Sequence, residues 1–402
     1  MDDPLEAPLS PVFHHGRGGD AGPLSGVRVL DLSAYIAGPY GCSLLADQGA
    51  DVIKVEPPGG DNLRNYPSTL EAESRAFLGV NRSKRGVVLD LKREDERAVL
   101  YRLLRETDVL VHNFRPGVPE RLGIGYQSLS ALHPRLVYCA VTGYGETGPM
   151  KDKAGYDQVL QTMTGMCAMQ GKRGGPPELI YGSVVDYYAA ALLAAGVSSA
   201  LYERERSGQG QYVGVSLLRS ALTMQSARMV WAQGEGHDIS RDMRSGGVTG
   251  IHPTREGFLY ISANTPRFWR ALCEKTGLHA LADDPRLDSV RKRALHADEI
   301  LPQLHRALQA HAALEWERIF ADEVPCAAAR QVEDMFDHPQ VLAEGMIAEI
   351  PHPVLGSYRG VARPIRFGRT PGPEPFAAPT LGQHSGEILA AAAAGEAEDR
   401  EA

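Results

Sequence analysis

Cysteine is scarce in this chain of 402 residues, and the five that occur are scattered without a CxxC spacing. No histidine stands close enough to them in the sequence to indicate a zinc site. An odd, scattered set predicts reduced, buried thiols rather than a disulfide framework or a structural metal site. The pattern is typical of a cytoplasmic protein.

Positive charge is also in short supply, because 42 Lys and Arg residues stand against 50 Asp and Glu residues, for a formal net charge of -8. Nucleic acid and anionic membrane surfaces are therefore not expected as main partners. The chain begins Met-Asp-Asp, without the basic start and apolar core of a secretory signal. The longest apolar run, behind Asp186, contains serines and a glycine and is short for a membrane span.

The first part of the chain alternates strand-like and helix-like segments. Strands are predicted at 27–32, 51–56, 87–89, 109–111 and 136–141, and an amphipathic helix at 94–106. A strand, a helix and a second strand in so short a stretch predict a βαβ unit with parallel strands. The predicted fold class is therefore α/β with a doubly wound sheet, a fold that binds ligands at the carboxyl ends of its strands. No GxGxxG follows the first strand, which argues against a dinucleotide site of the usual kind.

Basic, amide and aromatic residues cluster beside two of these strands. Lys and Arg suit the phosphates of a ligand, and an adjacent Asn and Phe suit a purine ring. A solvated surface is the alternative, since Lys and Arg are commonly exposed. The residues concerned are Asn81, Arg82, Ser83 and Lys84 before the third strand, and Asn113, Phe114, Arg115 and Arg121 after the fourth.

Asp186 is a lone carboxylate at the start of a segment that is almost entirely Ala, Leu, Val, Tyr and Ser as far as Tyr202. The segment predicts a helix buried on every face. Burial raises the pKa of a carboxyl there, whereas the amino end of a helix stabilises the ionised form. Asp186 is therefore either a helix cap or a nucleophile.

The character of the chain changes near residue 234, where a glycine-containing loop, a strand and two helical segments suggest a second domain of α+β type. We predict a mobile tail at 1–22, the first part of a large domain at 23–225 and a small domain at 226–325. A return segment at 326–392 then completes the large domain, and 393–402 form a frayed tail.

Several stretches, in order, resemble the class III CoA-transferases, a family that includes formyl-CoA transferase, carnitine CoA-transferase and α-methylacyl-CoA racemase. They are residues 24–32, 37–39, 49–56, 113–117, 143–145 and 379–384. The resemblance implies a Rossmann-like large domain built from both chain ends, an inserted small domain and an interlocked homodimer. It also implies an acyl-CoA and a carboxylic acid as substrates, with no permanently bound cofactor.

For the site, the resemblance implies that Asp186 is the nucleophile, forming an acyl anhydride and then a thioester with CoA. It also puts CoA on the basic and aromatic residues chosen above. Asp157 is either a hydrogen-bonding group near the site or a structural residue. The positions that the resemblance puts beside the substrate are Tyr35, Ile36, Tyr156, Asp157, Gly246 and Gly247.

At several positions this chain differs from members of the family, and these differences disfavour some of the family's reactions. Ile36 replaces a Gln of formyl-CoA transferase, and only two glycines replace its four, so formyl–oxalyl exchange is not expected. Pro57 replaces a CoA-binding Arg, for which Arg64 is a candidate substitute. Tyr156 replaces the His of the racemases, and its higher pKa disfavours acid–base cycling at neutral pH. A racemase, or a CoA-binding protein without catalysis, is the alternative.

Overall fold

The computed structural model describes residues 22–171, 174–236 and 245–401, with side chains as far as Ala393. The chain divides into two compact units. The large unit takes the described residues of 1–171, 176–230 and 340–402, and the small unit takes those of 172–175 and 231–339. Most of the predicted tail at 1–22 lies outside the described residues.

The large unit is built on a parallel sheet of six strands in the order β3-β2-β1-β4-β5-β6. This is the order of a Rossmann-type sheet, and the strand order reverses between β1 and β4, where such folds bind ligands. The strands are β1 (Arg28–Asp31), β2 (Asp51–Glu56), β3 (Arg85–Val88), β4 (Val109–His112), β5 (Val137–Thr142) and β6 (Tyr212–Ser216).

Helices cover both faces of this sheet, because successive side chains of each strand point to opposite sides. Val29 of β1 packs into the core under the first face and Leu30 into the core under the second. The first face carries α1 (Ala37–Ala46), α6 (Asp157–Met163), α7 (Val184–Ser207) and α8 (Leu217–Thr223); the second carries α3 (Glu94–Arg105), α5 (Tyr126–Leu132) and α15 (Ser385–Glu401).

The carboxyl-terminal part of the chain completes the large unit. Ile388 and Ala392 of α15 belong to the core under the second face. The predicted frayed tail therefore continues α15, which runs to Glu401. The other α-helices and strands outside the two sheet faces and the small-unit core are α2 (Arg75–Asn81), α4 (Val118–Arg121), α14 (Pro339–Ala343) and the antiparallel hairpin of β10 (Ile347–His352) and β11 (Gly356–Val361).

The small unit has a three-stranded antiparallel sheet and its own core around Leu259, Trp269 and Trp316. The predicted boundary at 325 is wrong, because the following strand β9 pairs with β8 in this sheet. Its elements are β7 (Gly250–Pro253), β8 (Phe258–Ile261), α9 (Pro266–Lys275), α10 (His279–Ala282), α11 (Val290–Leu295), α12 (Ala297–Leu308), α13 (Ala313–Phe320) and β9 (Cys326–Ala328).

Helix α7 spans the large unit but is not buried on every face, contrary to the prediction. One side packs against α1 and the sheet, while a stripe at four-residue spacing is exposed, including Tyr187, Ala191 and Ala195. Among the described residues, α7 alone is long and apolar enough to cross a membrane by length and composition. At its far end Arg204 donates to Asp108, at 3.0 Å.

Buried ion pairs fix the carboxyl end of β1. The Lys84 ammonium donates to Asp31 Oδ2 at 2.8 Å and to the Pro39 carbonyl at 2.7 Å, and neither charged side chain is exposed. Lys54 Nζ lies 3.0 Å from Asp61 Oδ2 and donates to the Ser33 carbonyl at 2.9 Å. These contacts join β1, β2 and the start of β3 to the loop that follows β1.

Replacing Lys84 by Ala should destabilise the large unit strongly, because the Asp31 carboxylate would stay buried without its cation. We expect the free energy of unfolding to fall by about 3 to 5 kcal/mol, measured by urea titration. Lys92→Ala is the control: Lys92 is exposed, and its loss should change stability by less than about 0.5 kcal/mol. Equal stability of the two variants would contradict the assignment.

Candidate active site

A cavity of about 290 Å³ opens at the carboxyl ends of β1, β4 and β5. This is the reversal point of the strand order, where doubly wound sheets bind ligands. All of its lining residues belong to the large unit. They are 35–37, 113–116, 141–143 and 153–158, together with Leu63, Tyr66, Lys151, Ser183, Asp186 and Leu217.

Asp186 stands in the first turn of α7 and faces this cavity. It is not the N-cap, because that position belongs to Ser183, whose side chain makes no capping bond. The cap is supplied by Asp157 on α6, which accepts from the backbone N–H of Val185 at 2.6 Å and of Asp186 at 2.9 Å. Of the two roles considered for Asp186, that of capping its own helix is therefore contradicted, and its carboxylate is left for the cavity.

The electrostatic surroundings favour the protonated form of Asp186. Burial, and then the negative charge of Asp157, raise the pKa of Asp186 to about 7. No hydrogen bond to the Asp186 carboxylate is formed by the described part of the chain, so nothing compensates for the lost hydration. Near neutral pH a large fraction is ionised, and a poorly hydrated carboxylate is a usable nucleophile.

The opposite wall is the loop after β1, whose backbone is held rigidly. The Asn113 side chain accepts from the N–H of Ala34 at 3.0 Å and donates to its carbonyl at 2.7 Å. Asp61 Oδ1 accepts from the N–H of Tyr35 at 3.1 Å. Tyr35 has a φ of 66°, a left-handed conformation that is costly for a tyrosine and that these bonds hold in place.

Aromatic rings line the same side of the cavity. The rings of Tyr35 and Tyr156 pack edge to face, with their centroids 5.8 Å apart, and Tyr66 and Phe114 extend this wall. The Tyr35 hydroxyl accepts a hydrogen bond from Asn62 at 3.1 Å. Burial, and then a hydrogen bond with Tyr156, raise the pKa of Tyr35. The wall therefore combines apolar area with hydroxyl groups.

Cations stand at the rim. Arg115, Lys151 and Lys153 line the cavity and are exposed, and Arg121 lies nearby on α4. No carboxylate in the described ranges pairs with any of these four. Sequence reasoning missed Lys151 and Lys153, although two lysines shortly after β5 were a usable signal.

The family comparison agrees with this geometry. Residues 24–385 match the model of CoA-transferase family III. The chain belongs to this family. It is therefore an enzyme that transfers CoA between an acyl-CoA and a carboxylic acid.

Relatives of this CoA-transferase cover nearly the whole chain. It is 33% identical to the succinate–glutarate CoA-transferase of Agrobacterium fabrum, over 92% of this chain and 95% of that one. It is 34% identical to the succinyl-CoA–D-citramalate CoA-transferase of Chloroflexus aurantiacus, over 91% and 93%. A CAIB/BAIF family protein from Brucella suis superposes with a TM-score of 0.82 at 28% identity, over 92% and 100%.

Residues 81–84 do not line the cavity in the structure. Arg82 is paired with Asp47 and Lys84 with Asp31, and all four side chains of 81–84 are buried. The expectation that their side chains grip phosphates is therefore contradicted, because their charges are used inside the fold. Arg64 is not a free substitute either, since it donates twice to Glu56, at 2.7 Å each.

Gly246 and Gly247 lie in the small unit, in the turn before β7. Both have positive φ, and a Cβ on Gly246 would approach the Ala294 carbonyl oxygen to 2.9 Å. The turn itself therefore requires glycine at 246. Their predicted place beside the substrate stays a prediction, as does their part in excluding water.

Asp186→Asn should make the protein more stable at alkaline pH. A raised carboxyl pKa means that the folded state keeps a proton between about pH 4 and 7 that the unfolded chain releases, so the wild type loses stability over that range. We expect the variant to gain roughly 2 kcal/mol at pH 8, reduced by partial exposure from the full shift, and almost nothing at pH 4.

Urea unfolding at a series of pH values measures this difference. The exposed Asp152→Asn provides the control, since substitution of an exposed side chain should change the stability by less than about 0.5 kcal/mol at every pH. A flat difference for Asp186→Asn would show that its carboxyl has an ordinary pKa.

Proposed function

We propose that the enzyme transfers CoA between an acyl-CoA and a dicarboxylic acid through covalent intermediates on Asp186. The observation that carries the proposal is the Asp186 carboxylate, which faces the cavity without a hydrogen bond and has a pKa of about 7. It lies opposite a backbone loop held by side-chain hydrogen bonds, in a cavity whose rim cations pair with no carboxylate of the described residues.

The reaction begins when Asp186 attacks the thioester carbonyl of the donor. The C–S bond breaks, CoA leaves as the thiolate, and a mixed anhydride remains on Asp186. The thiolate then attacks the Asp186 carbonyl carbon, which releases the donor acid and leaves an aspartyl-CoA thioester. Each step exchanges one activated acyl group for another, so no ATP is consumed.

The acceptor acid completes the cycle by the same steps in reverse. Its carboxylate attacks the aspartyl-CoA thioester, expels the CoA thiolate and forms a second mixed anhydride. The thiolate attacks the acyl carbon that came from the acceptor, which gives the new acyl-CoA and frees the Asp186 carboxylate. Apolar and aromatic walls around Asp186 slow the competing attack of water on either anhydride.

The cavity rim supplies the binding groups. Arg115 and Arg121 suit the phosphates of CoA, and Phe114 suits its adenine side. Lys151 and Lys153 add positive charge for anionic substrates. Asn113 contributes by holding the loop at Ala34, because its amide is already engaged there.

A dicarboxylic acceptor is the class that the relatives favour. Their names specify succinate, glutarate and D-citramalate, and one relative 35% identical over 81% of this chain is the acetyl-CoA:oxalate CoA-transferase of Acetobacter aceti. A second carboxylate on the acceptor would find lysine ammonium and tyrosine hydroxyl groups on the cavity wall. These are Lys151, Lys153, Tyr35 and Tyr156.

Asp186→Asn should abolish transfer while preserving CoA binding. With succinyl-CoA as donor and glutarate as acceptor, mass spectrometry of new thioesters should show a loss of about 10³-fold or more, because the nucleophile is gone. Calorimetry should give a Kd for CoA within about threefold of wild type. Hydroxylamine added during turnover should convert Asp186 to a hydroxamate in the wild type only.

Asp152→Asn is the matched control and should retain full activity. A tenth or more of wild-type transfer in Asp186→Asn would remove Asp186 from the mechanism.

A second copy of the chain is the partner that we propose for the exposed stripe of α7. The stripe is apolar or small, and Tyr202 is 69% exposed at its far end. Leaving such a stripe in water is unfavourable for a helix of this composition. Its members are Tyr187, Ala191, Ala195, Ser199 and Tyr202.

Ala195→Arg should convert the dimer to monomer, because it puts a long charged side chain in the centre of the stripe. Sedimentation velocity measures the change, and we expect the dimer Kd to rise at least about tenfold. Ser128→Arg on the exposed side of α5 is the control and should leave the dimer intact. An unchanged dimer in Ala195→Arg would place the interface elsewhere.

A further inference from the structure

The Gln161 side chain lies on α6 and is completely buried. Its amide group both donates and accepts hydrogen bonds. Its oxygen accepts from the backbone N–H of Ile180 at 2.9 Å, and its nitrogen donates to the Ile180 carbonyl at 3.3 Å. The same nitrogen donates to Asp157 Oδ1. Because the N–H of Ile180 can only donate, the amide oxygen must face Ile180.

Asp157 is thereby surrounded by donors. Gln161 occupies Oδ1, and the N–H groups of Val185 and Asp186 occupy Oδ2. Three donors directed at two oxygens fix the orientation of the Asp157 carboxylate, because turning it would break bonds already formed. The negative charge of Asp157 is thus held directly under the first turn of α7.

The bond to Ile180 fixes a second part of the same structure. Residues 179–183 lead into α7, and Ile180 packs against the core under the first sheet face. Gln161 therefore joins three elements that meet at the nucleophile: α6, the segment before α7, and the α7 amino end through Asp157. No other side chain in the described ranges bonds to both Asp157 and this segment.

We infer that Gln161 is a positioning residue, which holds the Asp157 carboxylate in a fixed orientation beneath the Asp186 nucleophile. The inference rests on the proposed role of Asp186 in transfer. Gln161 does not line the cavity and touches no reacting atom. Its action passes through the Asp157 carboxylate.

Other charges near Asp186 do not replace this effect. Besides burial, the Asp157 charge alone raises the pKa of Asp186. The groups that line the cavity wall and the neighbouring part of α1 are tyrosine side chains and the cations at the rim. They are Tyr35, Tyr66, Tyr156, Tyr40 beside Tyr187, Arg115, Lys151 and Lys153.

Two substitutions of similar size test the inference. Gln161→Met removes the donor to Asp157, so the Asp157 carboxylate can turn away from Asp186, and the midpoint for Asp186 ionisation should fall by about one pH unit. Gln161→Glu is the conservative variant: two buried carboxyls that share a site hold one proton between them, so position 161 keeps a donor to Asp157 and the midpoint should stay close to that of the wild type. Thr162→Ala, a neighbour on α6 that does not bond to Asp157, should leave it unchanged.

The midpoint is measured in two ways. The first is the pH at which the stability difference between each protein and its Asp186→Asn derivative changes, which needs no activity. The second is the pH dependence of kcat/KM for transfer. A lower midpoint in Gln161→Met, with a midpoint close to that of the wild type in Gln161→Glu, supports the inference, whether or not kcat also falls.

Equal midpoints in wild type and both Gln161 variants, with only stability or kcat reduced, would overturn it in favour of a purely structural role. Failure of the proposed function has a different signature. The wild type would then lack transfer activity while its stability midpoint still responded to Gln161. If Gln161→Met does not fold, Gln161→Leu, which also lacks the donor, provides the same measurement.

Discussion

The capping of α7 by Asp157 is the interaction on which the site depends. A helix start leaves backbone N–H groups without partners, and most helices satisfy one with their own N-cap side chain. Here the partner comes from another helix, 29 positions earlier in the chain. Because the capping charge is supplied from outside, Asp186 can stand in the first turn without being used as a cap. The same charge then makes Asp186 a stronger base.

Much of the fold follows from the sequence pattern. The strands at β1, β2, β4 and β5 were predictable because parallel strands buried on both faces read as short apolar runs. Helix α3 was predictable from its leucine periodicity. The hairpin β10–β11 and strand β9 were not predicted, since β9 has only three residues, Cys326–Ala328, and pairs across a long sequence separation. The exposed stripe on α7 was missed because an apolar composition does not distinguish burial within the chain from burial against a partner.

Polar residues near strand ends proved a less reliable guide to ligands. Lys84 and Arg82 looked like phosphate ligands, yet they neutralise Asp31 and Asp47 inside the large unit. Asn113 does line the cavity, but its amide is committed to Ala34. One sequence cannot separate these uses, because an internal carboxylate partner distant in the chain leaves no local signal. Arg115, for which the described residues supply no carboxylate partner, lines the cavity, and its contact with CoA stays a prediction.

Helix α7 has 24 residues and is therefore about 36 Å long. It is held at its first turn by Asp157 and near its last turn by the ion pair of Arg204 with Asp108, just before β4. A helix that is held near both ends can transmit a displacement along its axis. Movement at the amino edge of the sheet would thus reach the Asp186 carboxylate from the far side of the unit. Arg204, which lies outside the cavity, is therefore connected to Asp186 through the length of the helix.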